Sequence, residues 1–158
     1  MNKNMEDIVL VTGGFDPLHS GHIKLLNDAS KFGKHLYVGV NSDNWLIKKK
    51  GFFLLPINER KIIIQNLRMV YKVIFWNDSD NSACGAIDYL LSILNKEQKL
   101  IFANGGDRKR NNIPELERYL NNIKVIFKFG VGGYNKKNSS SLIVEKFKRN
   151  YLNTKHSV

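Results

Sequence analysis

The chain has 158 residues, of which 42% are hydrophobic and 11% aromatic, so it is long enough for one folded domain and is not an intrinsically disordered chain. It contains no apolar run of about eighteen residues and no apolar leader, so neither a membrane span nor a secretory signal is expected. We therefore expect a cytoplasmic location. The net charge of +11 excludes little by itself, because lysine, asparagine and isoleucine are frequent throughout the sequence.

The positive charge is open to two interpretations. It attracts polyanions such as nucleic acids, phosphorylated metabolites and nucleoside triphosphates, or it follows from the overall composition. No stacking-aromatic motif of an RNA-binding module accompanies the charge, so nucleic acid is not an expected partner. The single cysteine, Cys84, cannot form an internal disulfide, which is typical of a reducing compartment.

Strands and helices are predicted to alternate along the chain. Apolar and β-branched runs predict five strands, at residues 7–14, 34–43, 71–76, 98–106 and 123–130. Helical spacing of apolar residues predicts five helices, at residues 21–33, 56–70, 82–94, 113–122 and 139–152. This alternation predicts an α/β fold with a parallel five-stranded sheet, in a single domain over residues 1–158 with a frayed tail from about residue 153.

Three predicted strands end in glycine-rich segments, at residues 13–22, 105–107 and 130–141. Ligands of open α/β sheets bind outside the carboxyl ends of the strands, so these segments predict the site. Gly13 and Gly14 would let the backbone approach a phosphate closely, and Gly21 lies where a helix N-terminus would attract an anion. Neither the P-loop nor the G-x-G-x-x-G pattern is present.

His19 and His22 lie three residues apart at the start of the first predicted helix. Taken alone, they allow a structural turn, a metal pair or a phosphate site. A metal pair would normally be spaced H-x-x-x-H, one residue longer than here, and be accompanied by a carboxylate. Two imidazole N–H groups beside glycines would stabilise charge on a transferring phosphoryl group and on departing pyrophosphate, so we favour the phosphate site.

The segment "GGFDPLHSGHI" contains an H-x-G-H motif in which His19, Gly21 and His22 occupy the motif positions. It is followed in order by "VNSD" at 40–43, "KKKG" at 48–51, "PINER" at 56–60 and "NGGD" at 104–107. In these motifs the chain resembles the H-x-G-H nucleotidyltransferase superfamily over residues 7–150. That superfamily is cytidylyltransferase-like and includes glycerol-3-phosphate cytidylyltransferase and the adenylyltransferase domain that makes ADP-heptose.

The resemblance implies a Rossmann-like three-layer α/β/α sandwich and a set of site residues. The catalytic residues it implies are His19, His22 and Lys49. The nucleotide-binding residues it implies are Gly13, Gly14, Phe15, Gly21, Asp107, Ser139, Ser140 and Ser141. The acceptor or phosphate contacts it implies are Lys48, Lys50 and Arg60.

Several of these residues keep a second interpretation. Lys48–Lys50 could instead form a solvated helix end, Arg60 could form a surface ion pair with Glu59, and the serines could simply cap a helix. Asp16, before Pro17, is favoured as a turn residue over a ribose or Mg²⁺ contact. The basic run at residues 108–110 is expected to be a solvated turn.

The resemblance implies an enzyme that transfers CMP or AMP from CTP or ATP to a phosphorylated sugar or polyol and releases pyrophosphate. Mg²⁺ would accompany the triphosphate, no protein metal site is expected, and the resemblance allows a homodimer. The alternative is a non-catalytic nucleotide-binding or regulatory domain of the same fold. Ser141 stands where the family often has threonine, and the preceding loop lacks Arg-Thr-Glu-Gly, which weakens a glycerol-3-phosphate assignment and leaves the base open.

Overall fold

The computed structural model describes residues 6–106, 108–133 and 139–155. Five strands form one sheet: β1 (Ile8–Gly13), β2 (His35–Val40), β3 (Lys72–Ile74), β4 (Leu100–Gly105) and β5 (Val125–Val131). All neighbouring strands are parallel, and their order is β3-β2-β1-β4-β5. The predicted five-stranded parallel sheet is therefore confirmed.

The helices of the described residues are α1 (Ser20–Ala29), α2 (Asp43–Lys50), α3 (Ile57–Gln65), α4 (Cys84–Ile93), α5 (Glu115–Tyr119) and α6 (Ser140–Lys155). Five of them match predicted helices, and α6 continues three residues beyond its predicted end at residue 152. None of them is long and apolar enough to cross a membrane.

Helix α2 is not among the five predicted helices. Its sole buried residue is Leu46, so it has almost no apolar face to detect. The helix begins at a Ser42 cap, whose Oγ accepts a hydrogen bond from the Trp45 amide at 3.0 Å. It ends at Gly51, whose φ of +83° suits the left-handed C-cap.

Alternate residues of the central strands enter two separate cores. Val9 and Val11 of β1 pack with residues of α1 and α3 on one face of the sheet. Ile8 and Leu10 pack with residues of α4 and α5 on the other face. Because both faces of a parallel sheet are covered, the fold is a Rossmann-like three-layer α/β/α sandwich, as predicted.

The order of the strands fixes where a ligand can bind. From β1 the chain winds outward through β2 to β3, then returns to place β4 and β5 on the other side of β1. The direction of winding reverses between β1 and β4, and a crevice opens at the carboxyl ends of the strands at this topological switch point.

Arg60 on α3 is buried beneath the loops that follow β1 and β2. Its Nη1 donates to the carbonyl oxygens of Gly14 at 2.7 Å and Asn41 at 2.9 Å, and its Nε donates to that of Leu55 at 2.9 Å. Its Nη2 pairs with the Asp43 carboxylate. The expectation that Arg60 contacts phosphate is therefore corrected: the side chain is enclosed by protein acceptors and instead joins the two loops.

Replacing Arg60 with methionine should lower the free energy of unfolding by about 3 kcal/mol, because the Asp43 carboxylate and buried carbonyl oxygens would lose their donor. Urea unfolding measures the change. Lys61→Met is the matched control, since Lys61 is the exposed neighbour of Arg60 on the same helix. A loss in Arg60→Met no larger than that in the control would contradict this role.

Candidate active site

A cleft of about 930 Å³ opens at the carboxyl ends of the strands, at the switch point. On one face of the sheet it is lined by His19, His22, Leu25, Gly132 and Ser140, which we call the histidine half. On the other face it is lined by Thr12, Trp76, Ser82 and Arg108, which we call the tryptophan half.

The two halves belong to different layers of the sandwich. Leu25 packs against the core shared by α1 and α3, whereas Trp76 packs against the core shared by α4 and α5. A Cβ added to Gly39 would meet both the Thr12 and the Trp76 side chains within 3 Å, so these two residues share one face. The end of β1 thus separates two adjoining subsites.

His19 is the N-cap of α1. Its Nδ1 accepts a hydrogen bond from the Gly21 amide at 3.1 Å. Since an accepting nitrogen carries no proton, the neutral ring has its hydrogen on Nε2. The cap therefore fixes the tautomer of His19 and makes Nε2 the donor.

The ring of His22 stacks on that of His19, with centroids 3.8 Å apart and planes 24° apart. The Phe15 ring meets it edge-on at 5.0 Å. Burial, and then the proximity of His19, lower the pKa of His22 to about 3. Its Nδ1 is buried and has no hydrogen-bond partner among the described residues. His22 is thus neutral at neutral pH.

The glycine loop brings backbone to the edge of the cleft. Gly13, Gly14 and Phe15 all line it, as does Gly21. A Cβ on Gly14 would lie 2.7 Å from a Leu46 methyl group, so a larger residue there would collide with α2. Phe15 itself is buried with a φ of +50°, and its ring supports His22.

The three lysines at the end of α2 point to different places. Lys49 lines the cleft, with its Nζ 4.4 Å from the centroid of the Trp45 ring. Lys50 also lines the cleft, but its Nζ is bonded to the carbonyl and carboxylate of Asp16. Lys48 lies in a separate groove with its Nζ 3.4 Å from the Ser79 carbonyl oxygen, so the structure does not bring it to the cleft.

Asp16 is a buried anchor for the segment after α2. Its carboxylate accepts hydrogen bonds from the amides of Leu54 at 2.8 Å and Leu55 at 2.9 Å, and from Lys50 at 3.0 Å. Burial raises the pKa of Asp16, but these hydrogen bonds outweigh it and hold the pKa below its ordinary value. The geometry supports the turn interpretation of Asp16.

All three predicted serines line the cleft at the start of α6. Two of their hydroxyls also make structural bonds: Ser139 Oγ accepts from the Leu142 amide at 3.2 Å, and Ser140 Oγ donates to the Pro17 carbonyl at 3.0 Å. The capping interpretation thus holds for Ser139, alongside its place in the cleft. Asp107, also predicted to bind nucleotide, lies outside the described residues.

Sequence reasoning missed the tryptophan half. Trp76 carried no motif, and Arg108 was taken as part of a solvated turn. That interpretation is wrong for Arg108, which reaches Thr12 at the end of β1, while Lys109 and Arg110 are exposed as expected. The only available signal was the position of Arg108 just after a strand-ending glycine pair.

A model of the cytidylyltransferase-like family matches residues 10–146. The chain belongs to the cytidylyltransferase-like family. It is 40% identical over 111 residues to the bifunctional protein HldE of Blochmanniella floridana, covering 68% of this chain and 21% of that protein. It is 32% identical over 85 residues to glycerol-3-phosphate cytidylyltransferase of Bacillus subtilis, covering 54% of this chain and 66% of that protein.

Solved structures agree with the fold of this cytidylyltransferase-like chain. A bifunctional NMN adenylyltransferase/ADP ribose pyrophosphatase from Francisella tularensis superposes with a TM-score of 0.64 at 15% identity, over 92% of this chain and 43% of that one. The chain spans about a fifth of the length of the HldE relative and about two thirds of that of the cytidylyltransferase.

The lowered pKa of His22 should make the protein less stable in acid. Between the ordinary pKa of 6.5 and the folded-state value of about 3, protons bind the unfolded chain preferentially. The contribution of neutral His22 is therefore complete above pH 6.5 and is lost progressively as the pH falls toward 3.

His22→Gln removes this group, so wild type should lose stability relative to the variant over that range. Urea unfolding of both proteins at a series of pH values measures the difference. A difference that stays constant from pH 6.5 to pH 4 would contradict the lowered pKa.

Proposed function

We propose that this chain is a nucleotidyltransferase that moves CMP or AMP from CTP or ATP to a phosphorylated sugar or polyol and releases pyrophosphate. The observation that carries the proposal is the stacked His19–His22 pair at the N-terminus of α1, inside a cleft that Lys49 and the start of α6 also line. Membership of the cytidylyltransferase-like family supports the same chemistry.

In the proposed reaction, an oxygen of the acceptor's phosphate forms a bond to the α-phosphorus of the triphosphate. The bond from that phosphorus to the oxygen bridging the β-phosphorus breaks, and its electron pair leaves with pyrophosphate. The protein contributes no covalent step, so positioning and charge stabilisation supply the rate enhancement.

The two histidines would serve as hydrogen-bond donors to the phosphates. His19 has its Nε2 hydrogen fixed by the helix cap, so this donor is oriented before the substrate arrives. His22 is neutral in the empty cleft because of its low pKa, which favours N–H donation over proton transfer as its role. Lys49 adds positive charge to the same cleft.

Mg²⁺ is proposed to enter as the chelate of the triphosphate substrate. Mg²⁺ typically takes one or two protein carboxylates together with phosphates and waters. The Asp16 carboxylate is already occupied by two amides and Lys50, and the described residues contain no cluster of three or more potential metal ligands. We therefore assign neither a protein ligand nor a reaction step to the ion.

The base and the acceptor remain a pair of alternatives within the proposal. One relative carries glycerol 3-phosphate in its name, which supports a polyol phosphate. The motifs that this chain shares with the adenylyltransferase domain that makes ADP-heptose favour a sugar phosphate instead. Homodimer formation and a cytoplasmic location stay predictions from the sequence.

His22→Asn should lower kcat/KM for pyrophosphate release by about a hundredfold or more, the usual effect of removing one donor to developing charge. The assay combines Mg·ATP or Mg·CTP with a panel of sugar and polyol phosphates. His35→Asn is the matched control, because His35 packs against the Tyr71 ring and does not line the cleft. Wild-type turnover in His22→Asn would refute the mechanism, and triphosphate binding without turnover across the panel would favour the non-catalytic alternative.

Lys49→Ala and Lys48→Ala form a second matched pair, since adjacent residues of one helix lie inside and outside the cleft. Loss of the Lys49 charge should reduce kcat/KM by about tenfold, the scale of one charge-assisted phosphate contact. Lys48→Ala should stay within about twofold of wild type. Equal losses in the two variants would show that only the general positive charge matters.

A further inference from the structure

Arg108 joins the ends of the two strands that flank the switch point. Its Nη1 donates to Thr12 Oγ1 at 3.1 Å and to Asn104 Oδ1 at 3.3 Å, so it contacts residues of both β1 and β4. Its guanidinium carbon lies 5.8 Å from the centroid of the Phe102 ring, which belongs to the core beneath the tryptophan half. These contacts hold the cation in the tryptophan half of the cleft.

Within the described part of the chain, the hydrogen bonds of Arg108 use only some of its N–H donors. Its Nη2 lies 3.7 Å from Glu115 Oε1, which is an ion pair but too long for a hydrogen bond. That oxygen already accepts from the Ala83 amide at 2.6 Å. Since a guanidinium has five N–H donors and a third of this side chain is exposed, Arg108 can still bind an anion from the cleft.

Glu115 holds this arrangement in place. The carboxylate is fully buried, and its Oε2 has no hydrogen-bond partner among the described residues. By accepting from the Ala83 amide, it fixes the N-terminus of α4 beside Arg108. Ser82 and Ala83 line the cleft at this point, so the positive end of a ten-residue helix adds to the charge of the guanidinium.

We infer that Arg108 is the residue that binds the phosphate of the acceptor, in the tryptophan half. This inference rests on the proposed function. In an in-line displacement the attacking oxygen lies opposite the departing pyrophosphate. With the pyrophosphate beside the histidines, the acceptor falls on the other side of the end of β1, where Arg108 lies.

A phosphate monoester suits this subsite better than a neutral alcohol does. A guanidinium can bind two phosphate oxygens at once, which fixes the third near the attack position. Trp76 Nε1 donates to the Ser82 carbonyl oxygen at 2.7 Å, so the indole presents apolar surface for the carbon skeleton of the acceptor. The subsite thus combines one anion-binding group with an apolar wall.

The test titrates inorganic phosphate into the whole chain and follows the backbone amide resonances of Thr12 and Gly21. Thr12 reports the tryptophan half and Gly21 reports the histidine half. At the Thr12 resonance, Arg108→Gln should bind phosphate about tenfold more weakly than wild type, because a bidentate charge-assisted contact is lost. Arg108→Lys keeps a charge beside Glu115, so its affinity for phosphate should lie between those of wild type and Arg108→Gln.

Arg110→Gln is the matched control, because it removes the same charge from an exposed residue two positions along. It should leave both resonances within about twofold of wild type. The inference is overturned if Arg108→Gln binds phosphate as wild type does at Thr12, or if Arg110→Gln loses as much affinity. The inference is also overturned if the phosphate affinity of Arg108→Gln falls only at the Gly21 resonance.

Binding of Mg·ATP and Mg·CTP to the same proteins separates this inference from the proposed function. Arg108→Gln should keep wild-type affinity for the triphosphate, and a matching loss would assign Arg108 to the nucleotide and overturn the inference. If wild type binds phosphate through Arg108 but binds and uses neither nucleotide, the proposed function fails on its own. If it turns over nucleotide while phosphate affinity is independent of Arg108, only the present inference fails.

Discussion

The guanidinium of Arg60 is the contact on which the shape of the cleft depends. One buried nitrogen holds the carbonyl oxygens of Gly14 and Asn41 together, and these residues follow the first two strands of the sheet. The remaining donors bind Leu55 and Asp43. Because backbone carbonyls cannot turn away without leaving a buried donor unpaired, the loop that precedes the histidines is held rigidly.

A second buried ion pair, in which the carboxylate rather than the cation is the fully enclosed partner, lies between Asp16 and Lys50 beside the cleft. The Asp16 carboxylate is enclosed and takes Lys50 together with two amides of the segment after α2. These bonds fix the end of α2, and Lys49 lies one residue earlier on the cleft side. The buried Asp16–Lys50 pair thus fixes the backbone from which Lys49 enters the cleft, which explains why adjacent lysines have different surroundings.

The sequence alone was sufficient to predict the sheet, most of the helices and the carboxyl ends of the strands as the place of the cleft. Those features follow from local patterns, namely apolar periodicity and strand-ending glycines. Arg60 was not predictable in the same way, since its partners are 5 to 46 residues distant along the chain and a Glu59 neighbour suggested a surface pair. Arg108 was not predictable either, because its contact with Thr12 joins residues that are far apart in the chain. A run of basic residues looks the same in the sequence whether its side chains are solvated or bound to another strand.

The N-cap role of His19 separates two requirements that fall on one residue. Helix α1 needs only a side chain that accepts a hydrogen bond from the Gly21 amide, which asparagine, aspartate or serine would also supply. The proposed phosphate chemistry needs the imidazole and the hydrogen that the cap forces onto its far nitrogen. A single substitution at this position can therefore silence the reaction and leave the architecture intact, so inactive descendants with an unchanged fold are readily accessible to evolution.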